Sequence, residues 1–239
     1  MAVDHLVTWR PALEGLRFTA ETRRRSDPIR SSVLARSGSC GGPQRSVCAG
    51  WLVYGVEVSQ WTDVGVSANV APVVIGPGTE DDLPGIVEIL NYTAANSHAT
   101  FATRPTSVVE RREWFEQFSP TGPYRLVVAR HGSLVLGYAC SQRYRDHEAF
   151  RETVEVSVAL DVRCRRQGVG SLLYRTLFEC LAGEPVHVVL AGIAMPNDAS
   201  VALHRKFGFT EVGVFREYAV KNGQYISSLW MQRLSPAAD

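Results

Sequence analysis

Lysine is almost missing from this chain of 239 residues: among its 25 basic side chains only Lys206 and Lys221 are lysines. We read that bias as the codon preference of the source genome. An excess of charge of one sign is missing too, since 25 basic against 24 acidic residues leave +1. This balance gives no support to a nucleic-acid binder driven by bulk charge, and no nucleic-acid partner is expected. No apolar run approaches the roughly 18–20 residues of a spanning helix, so no membrane partner is expected. The 5 cysteines are odd in number and none form a CxxC pair, which argues against a disulfide framework and a zinc site. No metal is expected, and a reduced, cytoplasmic setting fits best.

Apolar residues make up 45% of the chain, enough for a full core. The length allows one domain with a long extension, or two small ones. The two ends differ. Residues 1–72 hold 8 basic against 6 acidic residues, and the remainder holds 17 against 18. After Arg23-Arg24-Arg25, the Ser-, Gly- and Arg-rich stretch from Arg30 to Ser46 has no sustained period, so it reads as loop. The basic residues precede no secretory apolar segment, and Asp4, Glu14, Glu21 and Asp27 argue against a transit peptide. Residues 1–72 are therefore expected to be a poorly ordered extension, and 73–239 to be the folded domain.

From Val73 onward the pattern is regular. Val73–Ile75, Tyr124–Arg130, Leu134–Ser141, Thr153–Asp161, Val186–Ile193, Thr210–Phe215 and Ser228–Leu234 read as strands, with His131-Gly132-Ser133 as a hairpin turn. Helices are expected after Thr79, with acids in the first turn, and after Ser107, which forms a capping box with Glu110. Two more follow Gly168 and Asn197. The order is β α α β β β α β α β β.

The chemistry concentrates at Arg163–Ser171, between a strand and a helix. Gly168 and Gly170 let backbone N–H groups approach a ligand with no Cβ in the way. The helix N-terminus adds partial positive charge, and the arginines add more. Pyrophosphate is the natural occupant. The string is neither GxxxxGK[ST] nor GxGxxG, so a triphosphatase loop and a dinucleotide site do not fit. Taken alone, a tight turn on a solvated basic face explains it equally well.

Two signatures in order give more. Arg165-x-x-Gly168-x-Gly170, after an alternating strand and before a Leu-rich helix, resembles the acyl-CoA loop of the GNAT superfamily of N-acetyltransferases. The segment Asn197–Phe209, NDASVALHRKFGF, is similar to that superfamily's second signature. A narrower resemblance, to the phosphinothricin/methionine sulfoximine acetyltransferase group, covers about residues 73–235. Phe150–Glu155, Ala191-Gly192-Ile193, Pro196-Asn197-Asp198, Trp230-Met231-Gln232 and Arg112–Phe115 carry it.

The resemblance implies an α/β GNAT acyltransferase fold, a central mixed, mostly antiparallel sheet flanked by helices, with acetyl-CoA as co-substrate. It places the cofactor on the strand edge at Val158, Ala159 and Leu160. The pyrophosphate falls on Arg166, Gln167, Gly168, Val169, Gly170 and Ser171, and the thioester end lies near Asn197. Glu155 matches the general base, His204 a histidine also implicated in catalysis, and Glu148, Ala149 and Phe150 the acceptor pocket. A homodimer is implied as well.

The implied reaction is transfer of acetyl to the primary amine of a small amino-acid-like acceptor, such as phosphinothricin or methionine sulfoximine. A protein amine, another metabolite amine, or a non-catalytic acyl-CoA-binding module remain open readings. So do plainer roles for single residues: Glu155 as an outward strand residue paired with an arginine, His204 as packing, Asn197 as a helix cap. The chain departs from the narrower group mostly near the acceptor. Ala159 replaces an aromatic, Asp161-Val162 replaces His-Pro, and Gln224–Ser227 replaces an Arg-Trp-Leu-Asp pattern. Arg143 and Arg145, in a charged loop, are candidates for holding a carboxylate.

Overall fold

Alternating apolar residues in most segments after Val73 build one sheet, and the amphipathic helices cover its two faces. The computed structural model describes residues 45–48, 51–54 and 73–235. The expected disorder of 1–72 falls largely outside these residues. Within that stretch, β1 (Arg45–Cys48) and β2 (Trp51–Tyr54) form a hairpin that pairs with β3 (Val73–Pro77).

The remaining elements are α1 (Leu83–Asn96), α2 (Val108–Phe115), β4 (Leu126–His131), β5 (Leu134–Arg143) and β6 (Thr153–Leu160). They continue with α3 (Val169–Leu181), β7 (Val188–Ala194), α4 (Asp198–Lys206), β8 (Thr210–Lys221) and β9 (Gln224–Leu234). The sheet order is β1-β2-β3-β4-β5-β6-β7-β9-β8. Every neighbouring pair is antiparallel except β6–β7. This is the mixed, mostly antiparallel α/β sheet expected from the sequence.

One face packs on α3. Leu173, Tyr174 and Leu177 are fully buried there against Val154, Val156, Val189 and Met231. Each such aliphatic side chain removed from water contributes about 1.5–3 kcal/mol. On the other face α1 sets Ile86 and Ile89 against Leu126, Val128 and Tyr138, with Trp114 and Phe115 of α2 over the same cluster.

The helix starts follow the capping residues. Ser107 N–H donates to Glu110 at 2.8 Å, and Glu110 N–H donates to the Ser107 hydroxyl at 3.2 Å. Thr79 N–H donates to Asp82 at 2.6 Å, and Asp82 also accepts from Arg130 Nε at 2.6 Å, which ties the start of α1 to β4.

The last two strands run further than the sequence reading had them. β8 reaches Lys221 and β9 begins at Gln224, because Asn222 (φ 51°) and Gly223 (φ 75°) close a two-residue turn. Asn-Gly tolerates left-handed backbone at both central positions and matches the twist of a hairpin. The expected strand Thr210–Phe215 stopped short because Arg216 and Glu217 interrupt the apolar pattern. The structure absorbs them in an irregularity of register between Phe215 and Ala219, with Glu217 at φ 52°.

Asp82 is 4% exposed and neutralises a largely buried guanidinium. Replacing it by alanine leaves Arg130 without that charge and opens the α1 cap. Asp82→Ala is expected to cost about 3–5 kcal/mol in urea denaturation; a loss below about 1 kcal/mol would show that the pair is dispensable.

Candidate active site

The site begins where two parallel strands stop pairing. β6 and β7 are in register only at Thr153–Val188, Val154–Val189 and Glu155–Leu190. Beyond that point β6 continues to Leu160 and β7 to Ala194 with no partner between them. Asp161 N–H donates to Leu136 O at 2.9 Å, toward β5. Backbone direction alternates along a strand, so the N–H groups of Ser157 and Ala159 also face β5, and those of Val158 and Leu160 face the cleft. The cleft therefore has backbone donors at two of the three strand positions expected to hold a cofactor. On the α1 side, a cavity of about 210 Å³ opens among Glu88, Ile89, Tyr92 and Leu160–Arg163.

The loop after β6 is shaped as an anion cradle. Arg166 (φ 63°) and Gly168 (φ 83°) both adopt left-handed backbone, and Gly168 is the N-cap of α3. Glycine takes that conformation at no steric cost; at Arg166 it is strained, as functional loops often are. Arg163 is neutralised by Asp161 at 2.6 Å and 2.8 Å. Arg165 and Arg166 are exposed and take part in no ion pair among the described residues. Gln167 donates to Arg163 O at 3.0 Å. From α4, Lys206 Nζ reaches the Ser171 hydroxyl at 3.0 Å and adds a cation beside the loop. The spare positive charge, helix N-terminus and left-handed turn suit a diphosphate.

Glu155 sits at the base of the cleft, on the last paired position of β6. It is half-buried and forms no ion pair among the described residues, so the plainer reading of a strand residue bonded to arginine does not hold. Burial pushes its carboxyl above the ordinary glutamate range. On the same face lie Gln142 of β5, Leu190 and Gly192 of β7 and Trp230 of β9, by register. A chain of ring contacts borders this face. It runs from Phe101 to Tyr218 (5.7 Å), Tyr218 to Phe215 (5.4 Å) and Phe215 to Trp230 (6.2 Å). It then continues from Trp230 to Tyr144 (6.1 Å) and Tyr144 to Phe150 (5.6 Å). Phe150 is thereby joined to the wall, while Glu148 and Ala149 stand exposed on a short turn capped by His147.

His204 lies elsewhere. It is 3% exposed, with Nε2 2.7 Å from the Tyr174 hydroxyl and Nδ1 2.7 Å from Ser200 O. Its ring packs edge-on to Phe209 and Tyr174 on the α3 face of the sheet. Burial lowers its pKa, so the ring is neutral in the fold. Tyr174 is fully buried, and its hydroxyl is pushed well above its ordinary value. Asn197 is a cap, its side-chain oxygen accepting from Ser200 N–H at 3.2 Å.

The structure thus gathers Val158–Leu160 and Arg166–Ser171 along one cleft, and Glu155 with Phe150 along one face. It separates His204 from both. Arg143 is paired with Asp146, and Arg145 lies over Tyr144 and Phe150. Sequence reading missed Lys206, Phe101, Phe215 and Trp230 as site-bordering groups. Lys206 was visible as one of two lysines, directly before Phe207-Gly208; the aromatics come together only through the fold. It also missed Lys221, whose buried ammonium donates to Ser97 O at 2.7 Å and Thr100 O at 3.0 Å, holding the loop that carries Phe101.

Comparison with known proteins gives the family. Residues 91–209 match the acetyltransferase (GNAT) family. A phosphinothricin N-acetyltransferase of Streptomyces coelicolor is 41% identical over 69% of this chain and 98% of its own length. An L-methionine sulfoximine/L-methionine sulfone acetyltransferase of Pseudomonas aeruginosa is 35% identical over 63% of this chain and 88% of its own. Among solved structures, a GNAT superfamily phosphinothricin acetyltransferase from Sinorhizobium meliloti in complex with acetyl-CoA superposes with a TM-score of 0.63. It is 30% identical, over 68% of this chain and 88% of that one. The chain belongs to the GNAT family of acetyltransferases. It is an acetyl-CoA-dependent N-acetyltransferase.

The buried neutral histidine sets a pH dependence of stability. In the unfolded chain His204 takes up a proton near pH 6.5, and in the fold it resists doing so. Its contribution is fully present above the unfolded value and is lost as pH falls toward the lower folded one. Between about pH 7.5 and 5.5, wild type is expected to lose up to about 1.4 kcal/mol per pH unit more than His204→Gln in urea titrations. Equal slopes would contradict the assignment.

Proposed function

We propose that the acceptor is the primary amine of a small amino-acid-like molecule, such as phosphinothricin or methionine sulfoximine, and that Glu155 is the general base of a direct transfer. The observation that carries the reading is a half-buried carboxylate without a countercharge, at the point where the cofactor cleft opens onto an aromatic-walled face. The relatives named above, which act on such amines, support the acceptor class.

An α-amino group of pKa about 8 is mostly an ammonium at neutral pH and cannot attack. Glu155, directly or through a water, takes one proton and leaves a neutral amine. Its raised pKa matches it to that task. The amine lone pair then forms the new C–N bond. The Val158 N–H, turned into the cleft, donates to the carbonyl oxygen as charge builds there, an interaction typically worth about 3–4 kcal/mol. Acetyl-CoA supplies the activated carbonyl; as the C–S bond breaks, the proton that the nitrogen sheds on becoming an amide passes to the departing sulfur, directly or through water, and CoA leaves as the thiol. In this reading Asn197 caps α4 beside the thioester end, and Arg166–Ser171 hold the diphosphate. His204 acts only by fixing α4 against α3.

The chain acts as a cytoplasmic homodimer in this proposal. β8 is a sheet edge whose Val212, Val214, Phe215, Tyr218 and Val220 are each at least 51% exposed. An apolar edge strand of that length calls for a cover, and a second copy supplies a matching one. Sedimentation is expected to give a dimer that Val214→Arg dissociates; a wild-type monomer at micromolar concentration would refute it.

The base is tested by thiol release from acetyl-CoA with phosphinothricin and methionine sulfoximine. Glu155→Gln is expected to lower kcat/KM by about 10²–10⁴ and to remove the acid limb of the profile. In wild type that limb lies above the ordinary glutamate range. Near-normal turnover of the variant from about pH 6 to 9 would exclude Glu155 as the base.

A further inference from the structure

One guanidinium on the Glu155 face has no charge to answer it. Arg111, on α2, lies over the Trp114 ring, 3.5 Å from its centroid, and Trp114 in turn meets Tyr138 edge-on at 5.7 Å. Its Nε is buried and unpartnered, and it forms no ion pair among the described residues. Of the other half-buried arginines, Arg125 and Arg130 hold the carboxylates of Glu184 and Asp82, while Arg233 lies over the Phe178 ring on the α3 side, away from Glu155. Taking a guanidinium out of water without an anion is costly, and proteins keep such a charge where a ligand supplies the anion. Burial lowers the Arg111 pKa, and the neighbouring Tyr138 hydroxyl, which brings no countercharge while protonated, offsets this only in part.

The register places this group relative to the base. Tyr138 is opposite Ala159, Cys140 opposite Ser157 and Gln142 opposite Glu155. Arg111 bears on Tyr138 and Cys140, and Cys140 also feels Glu155. Cys140 is diagonal to Glu155 across the pair, roughly 7–8 Å away. Between the two charges lies Ser157, exposed in a face otherwise covered at Tyr138 and Cys140. By register, the carboxylate and the guanidinium stand about two strand positions apart on one face, a separation that a small molecule with an amine at one end and an oxyanion several bonds away can span.

We propose that Arg111 binds the anionic group of the acceptor, so that the acceptor is a small primary amine that also carries an oxyanion, a carboxylate or a phosphinate. The inference rests on the acetyl-transfer reading above and adds to it the residue that holds the acceptor's anion and so selects for it. Arg111 touches the substrate and sets specificity; it moves no proton. Arg143 and Arg145 are then not needed for that task, one being paired with Asp146 and the other lying over Tyr144 and Phe150.

The experiment compares wild type, Arg111→Gln and Arg111→Lys by thiol release with phosphinothricin, methionine sulfone and the decarboxylated amine of methionine sulfone, which has no anion. Arg111→Gln is expected to lower kcat/KM for the anionic acceptors by about 10–100-fold. It should leave the neutral amine and the KM for acetyl-CoA unchanged, and Arg111→Lys should recover part of the loss. Loss on both amino acids identifies the carboxylate as the ligand; loss confined to phosphinothricin identifies the phosphinate. An equal loss on charged and neutral amines would make Arg111 a packing residue and overturn the proposal. If wild type acetylated none of the three, the acceptor reading itself would fail. Arg111 would then be judged by calorimetric titration of phosphinothricin in the presence of CoA, where equal affinity in wild type and Arg111→Gln refutes it and weaker binding by the variant supports it.

Discussion

The parting of β6 from β7 after only three paired residues is the constraint on which the site depends. A continuous parallel pair would consume the N–H groups of Val158 and Leu160 in the sheet. Because the strands diverge, those donors are left to a ligand, and a polar edge persists inside a fold that otherwise pairs its backbone. The fold can bear this because the two strands are held from their outer sides, β6 by β5 from Val154 to Leu160 and β7 by β9. Beneath them the α3 cluster around Leu173, Tyr174 and Leu177 keeps both strands on one packed floor.

The cleft has one chemical demand at each end. At the far end the turn before α3 is wound left-handed at Arg166 and Gly168, a shape that, with the spare arginines beside it, suits an anion. At the near end Glu155 is desolvated enough to stay basic without being locked in an ion pair. Between them the peptide edge offers neutral donors suited to amides and a carbonyl. Diphosphate, amide-rich arm and thioester carbonyl occur in that order along acetyl-CoA, the order in which the proposed site sets its anion turn, its free strand edge and Glu155.

Much of this was legible in the sequence because its determinants are local. Capping pairs such as Ser107 with Glu110 mark helix starts through bonds three residues apart. The alternation Val154, Val156, Val158 fixes which side of β6 is core, and therefore that Glu155 faces the other way. Arg165–Gly170 is a local turn with local charge. The parts that did not show are those made by distant segments meeting. The aromatic wall joins Phe101, Tyr218, Trp230 and Phe150 from two connections and two strands. The length of the β8–β9 hairpin was hidden by two charged residues that interrupt its pattern. Nothing in the sequence singles out Arg111; only its seat over Trp114 beside Tyr138 distinguishes it.

Hydrogen exchange of the full chain with and without acetyl-CoA addresses the central claim most directly. Freed strand donors and a left-handed anion turn predict that acetyl-CoA slows exchange at Val158, Leu160 and the Gly168–Ser171 amides. The Ser157 and Ala159 amides, already bonded toward β5, should change little. Binding that protects neither the β6 edge nor the turn, or that protects only a surface elsewhere on the sheet, would contradict the account.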